Sequence, residues 1–148
     1  MPEPDTPTPV DRELIEQRYR RYLDRCNAHR FDDLAAFVAD DVEVNGVPTG
    51  RRQYGRGLAE VADAFPDFHW ELRHLIVEGD WMSAHLEDTG TARDGRAIVL
   101  QEFALYRLAA GRIAAGRIAA GRIAAGRIAA VWGDLDRWRL EAAPPSAR

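Results

Sequence analysis

The feature that most constrains the fold is a change of hydrophobic period at Pro66. Before it, apolar residues recur at helical spacing, and after it they alternate as in strands. Because proline disfavours helical geometry in the residue before it, a helix from about Arg51 to Phe65 should end there. Helices gathered first and strands gathered later predict an α+β fold, with N-terminal helices packed on a curved antiparallel sheet. Such a sheet can wrap round the helices and leave a pocket at its open end.

Two more helices and one strand are predicted before this helix. Asp11 is the expected N-cap of the first helix, and Asp32 begins a short second one. Val42–Asn45 alternates like a strand and ends in a turn at Gly46. The apolar stripe of the first helix consists of Leu14, Ile15, Tyr19, Tyr22, Leu23 and Cys26, and the second helix should turn Leu34, Phe37 and Val38 inward.

The second half of the chain reads as an antiparallel meander. The Asp-Gly pair at Asp94-Gly95 is a strong hairpin signal between two of its strands. The predicted strands are Phe68–Val77, Trp81–Thr89, Ala97–Leu108 and a last strand that contains Val131, Trp132 and Leu135.

The unit Gly-Arg-Ile-Ala-Ala occurs four times in succession from Gly111 to Ala130. A period of five keeps no steady apolar face on a helix or on a strand. One copy makes sense as the hairpin turn before the last strand, and the other three look like a tandem expansion of that turn. We therefore expect a single domain over residues 11–140 with a protruding hairpin at 111–130, flanked by tails at 1–10 and 141–148.

Composition excludes several classes of function. The net charge of −4 argues against a nucleic-acid binder, and no stretch is apolar for the length that a bilayer requires. Cys26 is the only cysteine, and the four histidines lack metal-ligand spacing, so no metal or other cofactor is expected. The N-terminus lacks the basic start and apolar run of a signal peptide, which predicts a cytoplasmic protein.

Several short motifs then follow one another in a familiar order. They are Phe-Pro-Asp-Phe at 65–68, Glu-Gly-Asp at 78–80, Gly-Thr at 90–91, Tyr-Arg at 106–107, a Gly-Arg-Ile unit, and Trp132. In this order they resemble the SnoaL-like polyketide cyclase (ester cyclase) family of the nuclear transport factor 2-like superfamily, from about Arg18 to Trp138. The resemblance implies a cone-shaped fold with a cavity. It also implies a homodimer formed through the outer face of the sheet, near Trp81, Ser83 and His85.

In the best-known members of that family, a histidine and an aspartate in the cavity perform the acid–base steps of an intramolecular aldol ring closure. The resemblance puts Ala104 at the histidine position and Gly133 at the aspartate position. Asp134 lies one step along from the latter, Asp136 matches a further acidic position, and Asn45 matches an asparagine near the first strand to within one residue.

Strand alternation gives an independent set of candidates. Asp88 and Glu102 each fall on a largely apolar strand face that should look into the cone, where burial raises a carboxyl pKa towards neutrality. Two acids in different surroundings can divide the roles of acid and base. We predict Glu102, Asp88 and Asp134 as catalytic. The alternatives are a turn-capping residue at the rim for Asp88, an ion pair with Arg107 or Arg73 for Glu102, and a turn cap for Asp134.

The predicted substrate contacts are Asn45, Trp70, Leu86, Tyr106 and Trp132. Asn45 could donate to an oxyanion or serve as a turn residue, and Trp70 and Tyr106 could be pocket wall or core. The expected ligand is a small hydrophobic, polyketide-like molecule that closes a ring in the cavity. An isomerase or epoxide hydrolase on the same cone is one alternative, and a non-catalytic ligand-binding or dimeric interaction module is another. Burial of Glu102 and Asp88 would favour an enzyme.

Overall fold

The computed structural model describes residues 9–109 and 127–142, which form three helices and six strands. The elements are α1 (Pro9–Asn27), β1 (Val38–Val44), β2 (Val47–Pro48), α2 (Arg51–Ala64), β3 (His69–Glu78), β4 (Trp81–Thr91), β5 (Ala97–Ala109), β6 (Arg127–Gly133) and α3 (Trp138–Ala142). The two long helices come first and four strands follow Pro66, so the predicted α+β class is confirmed. The predicted tails lie mostly outside the described residues.

The six strands in the described residues form one open sheet in the order β2-β1-β6-β5-β4-β3. Neighbouring strands run antiparallel except β1 and β6, which run parallel. The sheet is therefore mixed rather than wholly antiparallel, because the chain inserts its last strand between β1 and β5. Register shifts interrupt the β1–β6, β3–β4 and β5–β6 ladders, and such irregularities bend a sheet.

Some element boundaries differ from those predicted. The segment after Asp32 forms turns instead of a short helix, because Val38 already begins β1, where it aligns with Ile128. Leu34, Phe37 and Val38 are nonetheless buried, as their apolar character indicated. Helix α1 begins at Pro9, two residues before the predicted N-cap Asp11.

The last strand starts and ends earlier than expected. Arg127–Ala130, from the fourth copy of the repeat, form the first part of β6, whereas Leu135 follows the strand instead of belonging to it. Residues 110–126, which hold the rest of the repeat and the expected turn at Gly111, lie outside the described residues. The final repeat unit is thus part of the sheet.

The core lies between α1 and the concave face of the sheet. The helix buries the predicted stripe except for Leu14, which is half-buried. The largest fully buried side chains of the core are Phe65, Leu34, Met82, Leu86, Val38, Val42, Val131 and Cys26. The end of α1 is fixed to the edge strand β3 by two hydrogen bonds. The Asn27 amide donates to the Trp70 carbonyl at 3.0 Å, and the Trp70 N–H donates to Asn27 Oδ1 at 2.8 Å. Within the described ranges, no helix is both long and apolar enough to cross a membrane.

Helix α2 packs with its backbone close to the turn that follows α1. A Cβ atom at Gly55 would lie 2.5 Å from the carbonyl oxygen of Phe31, whereas a Cβ at Gly57 would meet nothing within 4 Å. Only glycine permits this close contact at position 55, although glycine weakens the interior of a helix. The position of α2 over the sheet depends on this approach.

Replacement of the two glycines should therefore have opposite effects on stability. Gly57→Ala should raise the free energy of unfolding by up to about 1 kcal/mol, through helix propensity. Gly55→Ala should lower it by roughly 1–3 kcal/mol, because the new methyl group collides with a backbone oxygen. Urea denaturation of both variants measures the difference. Equal stabilities of the two variants would contradict the close approach.

Candidate functional site

A cavity of about 670 Å³ lies between α1, α2 and the concave face of the sheet, with the segment before α3 and α3 itself at its mouth. Much of its wall is apolar, and includes Leu23, Leu58, Phe68, Trp70, Leu86 and Leu100. Polar groups interrupt this wall at a few positions, which is the usual pattern of a small-molecule site.

Two carboxyl side chains face this cavity from adjacent strands. In the β4–β5 ladder Asp88 pairs with Leu100 and Glu102 pairs with Leu86, so the two acids are diagonal neighbours on the same face of the sheet. Both line the cavity. Asp88 is only 2% exposed, whereas Glu102 is half-buried. Strand alternation therefore placed both acids on the inner face.

Burial raises the pKa of Asp88 far above its usual range, and the adjacent Glu102 raises that pKa further through a hydrogen bond and its negative charge. Asp88 is thus a neutral acid at neutral pH. Within the described residues, its buried Oδ1 has no hydrogen-bond partner. A buried polar atom without a partner is costly and is typical of functional sites.

The alternative roles considered for these acids, a turn cap at the rim for Asp88 and an ion pair for Glu102, are not found among the described residues. Asp88 lies inside the wall and not at a solvated rim. The guanidinium of Arg73 pairs with Glu87, at 2.8 Å, and among the described residues no ion pair joins Glu102 to Arg73 or Arg107. Both acids therefore lie in the wall of the cavity.

Four tyrosines form a second polar group in the cavity wall. The hydroxyls of Tyr19 and Tyr106 lie 2.9 Å apart, and those of Tyr22 and Tyr54 lie 2.5 Å apart. Burial raises the pKa of each phenol above its usual value, so all four keep their protons. Burial likewise raises the pKa of the neighbouring Cys26 thiol to about 12.

Sequence reasoning identified Tyr106 in this group but not the other three. Tyr19 and Tyr22 were assigned to the apolar stripe of α1, where hydroxyl-bearing rings in an otherwise aliphatic pattern were the available signal. Tyr54 had no such signal, because its contact with Tyr22 joins two helices that are distant in the sequence.

Asn45 lines the cavity, but its amide is already engaged. It has a positive φ of 50°, its Nδ2 donates to the Gly133 carbonyl at 3.0 Å, and its Oδ1 accepts from the Gly133 N–H at 3.0 Å. The side chain thus extends the contact between β1 and β6. Asn45 is therefore a turn residue whose side chain also links the end of β1 to β6.

Other predicted residues are divided between the cavity and the surface. Trp70 and Leu86 line the cavity, and Asp134 lies exposed at its mouth. Trp132 pairs with Leu105, and its ring centroid lies 5.7 Å from that of Trp81. Because Val131 faces inward, Trp132 lies on the outer face of the sheet and is not brought to the cavity.

The mouth of the cavity is crossed by charged contacts between α2 and α3. The guanidinium of Arg139 binds the Glu60 carboxylate at 3.0 Å, lies 3.5 Å from Asp136 and stacks over Trp138 at 4.5 Å from the ring centroid. Among the described residues, no group of three or more His, Cys, Asp or Glu side chains could hold a metal ion.

The positions that the resemblance assigned to the acid–base pair carry no functional side chain. Ala104 and Gly133 lie directly opposite each other in the β5–β6 ladder. A Cβ at Gly133 would lie 2.7 Å from the carbonyl oxygen of Phe103. No aspartate can occupy this position without a shift of the backbone, so any acid–base chemistry must use other residues.

Comparison with known proteins agrees with this cone and cavity. Residues 19–116 match the model of the SnoaL-like domain. The chain belongs to the SnoaL-like family. Its fold is similar to that of a SnoaL-like polyketide cyclase from Agrobacterium tumefaciens, with a TM-score of 0.67 and 27% identity over 86% of this chain and 94% of that one.

A nuclear transport factor 2-like protein of unknown function from Exiguobacterium sp. has a similar fold, with a TM-score of 0.60 and 21% identity. The match covers 78% of this chain and 95% of that one. Among curated proteins none matches this chain in sequence. The predicted SnoaL-like family and its nuclear transport factor 2-like cone are confirmed.

The raised pKa of Asp88 has a consequence for stability. The folded protein holds a proton on Asp88 that the unfolded chain releases above about pH 4, so stability should fall as pH rises through the window up to the raised pKa. Asp88→Asn keeps a neutral side chain of the same shape. The difference between the free energy of unfolding of Asp88→Asn and that of the wild type should therefore increase by up to about 1.4 kcal/mol for each pH unit in this window.

Urea denaturation at pH 5, 7 and 9 tests this expectation, with the exposed Asp41→Asn as the matched control. The control should show no such growing difference. A constant difference between Asp88→Asn and the wild type across this range would mean that Asp88 is ionised in the folded protein.

Proposed function

We propose that this SnoaL-like protein closes a ring in a polyketide-type intermediate without a cofactor, using Asp88 and Glu102 for proton transfer. The observation that carries the proposal is the diagonal carboxyl pair in the cavity wall, in which burial holds Asp88 neutral. Two titratable groups in unlike surroundings can serve as acid and base at one pH.

In the proposed reaction, the Glu102 carboxylate removes a proton from a carbon next to a carbonyl group of the substrate. The resulting enolate carbon attacks a second carbonyl of the same molecule, and a carbon–carbon bond forms. Asp88 gives its proton to the new alkoxide. The proton on Glu102 then passes to Asp88 across their contact, so that both groups return to their starting states and no atom is lost.

The apolar part of the wall has its own role in this proposal. A flexible substrate loses much freedom when its two reacting carbons are held together, and a site that folds it in advance lowers the barrier. The cavity of about 670 Å³ is large enough for a small ring system. The similarity to the Agrobacterium tumefaciens protein, which is described as a SnoaL-like polyketide cyclase, supports this substrate class.

An isomerase is the second candidate. Ala104 and Gly133 replace the residues that the family resemblance assigns to ring closure, whereas the carboxyl pair suffices for moving a proton along a ketone. Epoxide opening on the same cone would also need a carboxyl pair. A purely ligand-binding module is less well supported, because it gives no reason to bury Asp88 beside Glu102. Asp134, exposed at the mouth, is assigned no step in either reaction.

Exchange of α-protons for deuterium tests proton transfer without knowledge of the natural substrate. Wild-type protein, incubated in D₂O with aromatic β-keto esters whose side chain can cyclise, should accelerate the exchange seen by NMR. Glu102→Gln should slow it by roughly 100-fold or more, because the base is lost. Asp41→Asn, an equivalent change at an exposed acid, should leave the rate unchanged.

The products distinguish the candidates. A cyclised product of unchanged mass, separated by chromatography, supports the cyclase, and exchange or isomerisation without ring formation supports the isomerase. If Glu102→Gln exchanges α-protons as fast as the wild type, this carboxyl pair is not the catalytic site.

We also propose a homodimer formed through the outer face of β3, β4 and β5. This face exposes large apolar side chains, among them Ile76 at 67%, Phe103 at 65% and Val99 at 60%. Contiguous exposed apolar side chains are typical of protein interfaces. The rings of His85 and Phe103 stack on this face, with centroids 4.7 Å apart.

Sedimentation equilibrium at micromolar concentration should show a dimer for the wild type. Phe103→Asp should be monomeric, since a charge would be buried in the interface. Val47→Asp introduces the same charge at an exposed residue of β2, at the other end of the sheet, and should remain dimeric. A monomeric wild type would remove this part of the proposal.

A further inference from the structure

The tyrosine cluster holds more hydrogen-bond donors than its internal contacts use. A phenol has one proton to donate, and its oxygen can accept. In the contact between Tyr22 and Tyr54 one hydroxyl donates to the other, and the same is true of Tyr19 and Tyr106. Each pair therefore retains one proton that its internal contact does not use. Because burial keeps all four phenols protonated, both of these protons remain available.

The exposure of the four side chains shows which proton can reach a ligand. Tyr19, Tyr22 and Tyr106 are each no more than 4% exposed. Tyr54 is half-buried and lines the cavity from α2. Either hydroxyl can be the donor in the contact between Tyr22 and Tyr54, and when Tyr22 donates, the proton of Tyr54 is left for a ligand in the cavity. Tyr22 is also in hydrogen-bonding contact with the Cys26 thiol, and because a phenol has a single proton, the thiol is the donor to Tyr22 in this arrangement.

The surroundings of Tyr54 determine the kind of group that it can bind. The nearby cavity wall is apolar at Leu23 and Leu58, and the negative charge in range of the phenol is that of Glu102. A donor in such a wall favours a ligand that presents an acceptor, because an apolar group at this place would leave the phenol without a partner.

We propose that the Tyr54 hydroxyl binds a carbonyl oxygen of the ligand and that Tyr22 is the positioning residue that orients it. This subsite selects ligands with a ketone or ester carbonyl over hydrocarbons of the same shape. For catalysis the inference rests on the proposed function. There the same hydroxyl faces the enolate oxygen that forms when Glu102 removes the α-proton, and a donor aimed at developing negative charge stabilises the transition state.

Two ligands of one shape test the binding step without any turnover. The probes are 1-tetralone, which carries a ketone, and tetralin, the corresponding hydrocarbon. Isothermal titration of the wild type should show tetralone binding about fivefold more tightly than tetralin, the gain expected from one net hydrogen bond. In Tyr54→Phe this preference should disappear, while the affinity for tetralin stays unchanged and shows that the cavity is intact.

Two further tyrosine variants provide controls with the same chemical change. Tyr19→Phe removes a hydroxyl from the other pair and should keep the preference for tetralone. Tyr22→Phe should reduce the preference in part, because Tyr54 loses the donor that orients it. The ¹³C resonance of labelled tetralone should move downfield on binding to the wild type and Tyr19→Phe, as expected for a carbonyl that accepts a hydrogen bond, but not on binding to Tyr54→Phe.

The results that overturn the inference are distinct from those that overturn the proposed function. If Tyr54→Phe keeps the preference, or if the wild type binds neither probe at millimolar concentration, Tyr54 is not a carbonyl donor. An unchanged preference with an altered pH profile of deuterium exchange would mean that the phenol donates to Glu102 instead. A preference lost in Tyr54→Phe, together with no proton exchange in the wild type, would support the subsite and reject the catalytic proposal.

Discussion

The register of β4 against β5 is the constraint on which the candidate site depends. It places Asp88 and Glu102 on one face, separated by a single diagonal step, and the curvature of the sheet turns that face towards the helices. A slip of one residue between the two strands would move one of the acids to the outer surface and separate the pair. Both the apolar core and the polar site are therefore specified by the same ladder. The apolar side chains that line the cavity around this face then provide the low-polarity surroundings that raise the pKa of Asp88.

The limits of sequence reasoning here follow from how far apart interacting residues are in the chain. Alternation along a strand is a local pattern, and it located Asp88 and Glu102 on the inner face without any knowledge of the fold. The hydroxyl contact between Tyr22 and Tyr54, in contrast, joins residues 32 positions apart on different helices, and no periodicity reports it. The parallel pairing of β1 with β6 escaped prediction for the same reason, and with it the role of the Asn45 amide.

Ala104 and Gly133 occupy the two positions to which the family resemblance assigns a histidine and an aspartate. The sheet therefore keeps its architecture without these two functional groups. Ala104 and Gly133 face each other in the β5–β6 ladder, and the backbone of Phe103 leaves no space for a side chain at Gly133. Asn45 further fixes Gly133 from the neighbouring strand. The polar functions of the cavity lie instead one step along β5, at Glu102, and across the ladder at Asp88. The cavity is thus present, and its buried carboxyl groups lie at other positions of the wall.

The fourth repeat unit supplies the first residues of β6, so the sequence of this strand does not depend on the number of repeats before it. Loss or gain of a whole five-residue unit leaves the same Arg-Ile-Ala-Ala sequence directly before Val131, and hence the same side chains opposite β1 and β5. A gene that expands or contracts here by slippage of whole units would alter the length of a connection without rewriting the strand that follows it. Such a change would leave β6 and the cavity wall that it contributes to unaltered.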